Sequence, residues 1–104
     1  MGAKVVQGRR FSWNDAKRNE VRKDHGVDLA DMPEAFGQPT VEMESEPDQR
    51  DGWRYKMLGL SRQTVVVVVY AERDNGNEIR LITAWRANKL EQALYYREVF
   101  GEGY

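Results

Sequence analysis

The chain of 104 residues has no cysteine and a single histidine, His25. The first absence excludes disulfides and thiolate metal sites; the second leaves zinc, which draws on several Cys or His ligands, without a ligand set. A pair of catalytic histidines is excluded too, so acid–base chemistry must use Arg, Lys, Glu, Asp, Tyr or His25. No apolar run approaches the roughly 20 residues that cross a bilayer, and the first residues carry no signal-like apolar core. Phosphate-binding glycine loops, G-x-G-x-x-G, nucleophile elbows and H-E-x-x-H are also missing. These gaps predict a cytoplasmic protein with no membrane partner, no metal and no cofactor.

What is present is charge, unevenly spread. The formal net charge is −1, yet residues 1–25 hold seven Lys/Arg against three Asp/Glu, residues 26–52 hold one against eight, and residues 53–104 hold eight against six. A polyanion can therefore meet one face built from the two basic ends, whereas the plain alternative is a solvated surface with an acidic loop.

The length fits one domain, expected over 11–104, with residues 1–10 as an extension or an edge strand around Val5 and Val6. Trp13, Ala16 and Val21 fall near helical spacing, which predicts a helix from about Asp15 to Asp24, capped by Asn14 or Ser12 and ended by Gly26. "DLADMPEAFGQP" reads as a second short helix, with Asp31 as its cap so that Pro33 lies in the first turn. From Thr40 the period becomes two. Val41 and Met43 alternate with glutamates, "SEPDQRDG" reads as an acidic loop, and Trp53, Tyr55 and Met57 alternate with Arg54 and Lys56.

"GLSRQ" then connects to "TVVVVVYA", whose five successive valines put apolar side chains on both faces of a central strand. Asn75-Gly76 signals a hairpin returning along "EIRLITAW". In the last segment Asn88 and Glu91 form a capping-box pattern, Leu90, Ala93, Leu94 and Val99 supply the apolar positions, and Gly101 ends the helix. The expectation is an α+β fold: two N-terminal helices, an antiparallel meander sheet of three to four strands, and a C-terminal helix. Either these helices take opposite faces of the valine strand, or a partner covers one of them.

Arginines at strand positions are the remaining candidates for chemistry. Strict alternation puts Arg80 and Arg86 on one face and Ile79, Leu81, Thr83 and Trp85 on the other. A guanidinium fork matches a phosphate bidentately and is charged at every relevant pH. Arg73, Arg80 and Arg86 thus suit phosphodiester recognition, although pairing with Glu72, Glu78 or Glu91 is the ordinary use of such residues. Tyr95 and Tyr96 can stack bases, with one of them packing on the sheet.

Read together, these residues resemble the BrnT-type toxins of bacterial type II toxin–antitoxin systems. The N-terminal pattern is carried by Phe11, Trp13, Asn14, Lys17, His25, Gly26, Val27 and Leu29. The later pattern runs through Arg54, Leu58, Gly59, Ser61, the valines, Tyr70, Glu72, Arg73, Ile79, Arg80, Ile82, Thr83, Ala84, Arg86, Ala87, Glu91 and Tyr95. Trp85 stands where the family pattern has the first arginine of an Arg-Arg pair.

The resemblance implies a RelE-like fold and a metal-independent endoribonuclease that inhibits translation. It also implies a BrnA-like ribbon-helix-helix antitoxin as partner in a hetero-oligomer, with DNA contacted only through that antitoxin. On this reading Arg73, Arg86 and Glu72 are catalytic, Glu72, Lys17 and His25 are the acid–base candidates, and Lys17, Arg80 and Tyr95 bind the RNA. A competing expectation is a toxin-fold module that pairs with its antitoxin without cutting.

Overall fold

The computed structural model describes residues 1–48 and 52–101. Among them are strands β1 (Gly2–Val6), β2 (Arg9–Trp13), β3 (Val41–Glu42), β4 (Glu46–Asp48), β5 (Gly52–Ser61), β6 (Thr64–Arg73) and β7 (Glu78–Arg86). Helix α1 spans Asp15–His25, a 3-10 helix spans Leu29–Gly37, and α2 spans Lys89–Phe100. The strands lie in the order β1-β2-β7-β6-β5-β3, with β4 paired to β5. The antiparallel meander is its β5-β6-β7 core.

The α+β class and that meander match the sequence expectation; the extent of the sheet does not. Residues 2–13 form a hairpin around Gln7 and Gly8, both at positive φ. Its second strand joins β7 in parallel, Phe11 beside Ile79, so the sheet is mixed. Trp13, expected on the helix stripe, ends β2 and packs with Phe11 in the core. The acidic stretch also contributes a strand, with Glu46 opposite Arg54; residues 49–51 of that expected loop lie outside the described residues. "GLSRQ" is mostly strand as well. Only Arg62 and Gln63 turn, at φ of 50° and 66°, the left-handed pair that a two-residue hairpin requires.

Helix α1 follows the expected plan. The Asn14 side chain accepts from the Lys17 amide at 2.9 Å, and Gly26 takes the left-handed position at φ 69°. The second helix is 3-10 rather than α, and Asp28, not Asp31, caps it. An α-helix starting there would need an amide at residue 33 to bond the carbonyl of residue 29, and Pro33 has none. Asp28 accepts from Ala30 N at 3.0 Å and from two Arg18 nitrogens at 2.7 and 2.9 Å, which fixes the helix start.

Two layers cover the sheet. On the first face the 3-10 helix and Val21 of α1 pack on Phe11, Trp13, Val66, Val68, Ile79, Leu81 and Ala84. On the second face α2 covers Leu58, Val65 and Val67. The helices therefore take opposite faces, and all five valines are buried. Asn88 and Glu91 form the expected capping box. Leu90, expected in the core, is 83% exposed, while Tyr95 is fully buried and donates to the Pro39 carbonyl at 2.7 Å. That bond pins the helix through Tyr95 and turns the Leu90 side away.

Strand β7 departs from strict alternation at one place. Tyr70 pairs with Leu81 but Val69 pairs with Thr83, so Ile82 is an extra residue, a β-bulge. One inserted residue exchanges the faces of everything beyond it. Arg86 consequently shares a face with Ile79, Leu81 and Ala84, and Trp85 faces the side of Arg80. The sequence expectation had these two reversed relative to the first half of the strand.

Candidate nucleic-acid interface

After Trp13 the chain leaves the sheet, because β2 pairs with β7 only as far as Arg80. Helix α1 takes its place beside the rest of β7. Asn14 and Lys17 line one cavity with Ile82, the His25 ring lies 6.4 Å from the Trp85 ring, and Arg86 Nη2 donates to the Gly26 carbonyl at 3.3 Å. The wall is anchored by the Arg18–Asp28 pair. Arg18 holds the Asp28 carboxyl below the ordinary carboxylate range, and Asp28 raises Arg18 in return.

The part of the second face that α2 leaves open forms a basic hollow. Lys17 from α1, Arg54 from β5, Arg73 from β6 and Arg80 from β7 line one cavity of about 310 Å³, with Asn14 and Ile82. Next to it Trp85, Thr83, Val69 and Lys56 line a cavity of about 400 Å³ together with Glu44, Ser45 and Glu46. Arg54 lines both, so the two cavities are neighbours that share this side chain as a wall. Lys56 Nζ stands 6.0 Å from the centre of the Trp85 ring.

Glu78 stands in register with Arg73 across the hairpin. Its carboxyl accepts from Ser12 Oγ at 2.8 Å and from Arg10 Nη2 at 2.7 Å. The Ser12 hydrogen bond, then Arg10 and the charge of Arg73, hold it below its ordinary value. Ser12 and Arg10 thus engage much of this carboxylate's hydrogen-bonding capacity from β2. Four cations on three strands and a helix suit a phosphodiester, since guanidinium groups pair with phosphate oxygens two at a time.

Of the expected site residues, Lys17, Arg73 and Arg80 come together. Arg86 does not join them. It lies on the first face in a cavity of about 450 Å³ with Arg22, Arg62, Asp28 and Asp31, where the carboxylates offset the cations. Arg73 and Arg86 sit at opposite ends of the hairpin on opposite faces, so they cannot grip one phosphate. Glu72 also faces away from Arg73, lining a hollow with Trp53 and Tyr55. Tyr95, expected to bind RNA, is fully buried on the inner side of α2. Arg54 and Lys56 were not anticipated as site residues. Their alternation with Trp53 and Tyr55 was visible, but only the pairing of β5 with β6 places them beside Val69 and Arg73.

The family model of BrnT, a ribonuclease toxin of type II toxin–antitoxin systems, matches residues 13–91. The chain belongs to that family. No curated protein matches it. The match begins at Trp13 and ends at Glu91, so it includes every member of the basic hollow of this BrnT-family chain. Among the described residues no helix is long and apolar enough to cross a membrane.

Proposed function

We propose that this BrnT-family chain is a cytoplasmic, metal-independent endoribonuclease that binds RNA in the basic hollow and inhibits translation by cutting it. The observation that carries the reading is the convergence of Lys17, Arg54, Arg73 and Arg80 on one cavity. RNA brings its own nucleophile. The 2′-OH attacks the adjacent phosphorus, the bond to the 5′ oxygen breaks, and the products are a 2′,3′-cyclic phosphate and a free 5′-OH. Arg73 and Arg80 stabilise the charge that develops on the phosphorane oxygens, where preorganised donors contribute on the order of 10² or more in rate.

One proton must leave the 2′-OH and one must reach the 5′ oxygen. Lys17, inside the cavity, and His25, beside Trp85, stand on the required side of the sheet. Glu72 does not. The partner that silences the enzyme is a BrnA-like ribbon-helix-helix antitoxin, forming a hetero-oligomer that touches DNA through the antitoxin alone; family membership supports this assignment.

Purified wild-type protein in a chelating buffer is expected to cleave a structured RNA into fragments ending in cyclic phosphate. Arg73→Ala and Arg80→Ala are each expected to lower the rate by about 10² or more while the circular dichroism spectrum is unchanged. Full cleavage by both variants would overturn the assignment. So would an inert wild-type chain that still binds an antitoxin, which is the behaviour of a non-cutting module.

A further inference from the structure

Among the described residues, Trp85 and Tyr55 are the aromatic side chains that line the cavity beside the basic one, and the surroundings of Trp85 suit a flat ligand. Thr83 and Val69 make the floor. The Lys56 ammonium stands over the indole at 6.0 Å and the His25 ring lies tilted at 6.4 Å, so a stacked base takes the place of the flexible lysine side chain over the ring. The sheet and α1 fix the indole from behind, since Trp85 also packs against the Leu58, Val65 and Val67 cluster. A rigid, half-buried aromatic surface next to a cluster of phosphate-binding cations is the arrangement that holds single-stranded bases by stacking. Arg54, shared by the two cavities, places the aromatic subsite directly beside the cationic one.

The acidic lining adds direction. Glu44 and Glu46 line this cavity, and a carboxylate offers acceptors only. Among the bases, guanine presents two adjacent donors, N1–H and N2–H, on one edge, matching the two oxygens of one carboxylate. Uracil presents a single N–H between two carbonyls, which the glutamates repel.

We propose that the Trp85 cavity is a nucleobase subsite that stacks a base of the bound RNA and selects guanine through Glu44 and Glu46. The inference rests on the reading that the chain binds RNA through Lys17, Arg73 and Arg80. Trp85 in this role is a specificity residue and takes no part in proton transfer.

The test uses five-nucleotide 2′-O-methyl RNAs that differ only in the central base. They cannot supply the attacking hydroxyl, so binding is read without cleavage. Fluorescence anisotropy with the wild-type chain is expected to show the central-guanine oligonucleotide bound about ten-fold tighter than the central-uridine one. Trp85→Ala is expected to lose about ten-fold or more in affinity for the guanine oligonucleotide, within the range of stacking on one aromatic side chain. Trp85→Phe keeps a ring and is expected to stay within about three-fold of wild type, which separates stacking from a general loss of structure. The double variant Glu44→Gln, Glu46→Gln is expected to lose the guanine preference while still binding.

Arg73→Ala is measured alongside. If it weakens binding and Trp85→Ala does not, the base subsite is overturned and the ribonuclease reading stands. If the wild-type chain binds none of the oligonucleotides, the ribonuclease reading fails and the subsite goes with it. Equal affinity for all four central bases overturns the guanine selection.

Discussion

Asp28 accepts hydrogen bonds from both sides of a chain reversal, from Arg18 on α1 and from Ala30 on the 3-10 helix. Because Arg18 holds its carboxyl below the ordinary range, the folded protein takes up this proton less readily than the unfolded chain. The contribution is therefore complete above about pH 4, the unfolded value, and is lost as pH falls through the lowered folded value. Asp28→Asn keeps a capping oxygen and loses the ion pair. Urea unfolding should show it less stable at pH 7 by on the order of 1 kcal/mol, with the gap to wild type closing as the pH is taken below about 4. The cations of the hollow make a separate prediction at this scale. Arg73→Ala and Arg80→Ala should each flatten the slope of log affinity for single-stranded RNA against log salt by about 0.7, one phosphate apiece. Arg86→Ala, on the other face, should leave that slope unchanged.

The bulge at Ile82 acts at the scale of an element, by putting Trp85 rather than Arg86 on the face of Arg80. Deleting Ile82 restores regular alternation and leaves Thr83, Trp85 and Arg86 on their present faces, so the variant should fold at a cost of about 1–3 kcal/mol. Inserting one alanine between Ala84 and Trp85 exchanges the last two side chains and should be far more damaging; comparing the two denaturation midpoints tests the order. The same residue explains what the sequence could reveal. Periods, caps and turn residues located α1, α2 and the meander, because those signals are local. A bulge has no residue signature in "EIRLITAW", and the β2–β7 pairing joins residues nearly seventy positions apart. The basic cluster was therefore half legible. Lys17, Arg73 and Arg80 were picked by type, but Arg54 and the exclusion of Arg86 needed the register.

At the scale of the whole molecule, the double-sided valine strand is satisfied within one chain, with the 3-10 helix and α1 on one face and α2 on the other. Tyr95 is the fixing point of the second layer. Its hydroxyl is pushed above the ordinary phenol range by burial and by Tyr96, and it donates to Pro39. Tyr95→Phe should lower stability by about 1 kcal/mol or somewhat more, measured by thermal unfolding, since the Pro39 carbonyl loses its donor.

Helix α1 standing where β2 has left the sheet does more than supply Lys17 and His25. A strand with no neighbour offers a row of unused backbone groups to any passing chain, and here a helix occupies that row between Leu81 and Arg86. Heating that frays α1 thus dismantles the wall of the RNA hollow and opens a template for intermolecular pairing in the same event. Loss of RNA binding and the onset of light scattering should share one temperature.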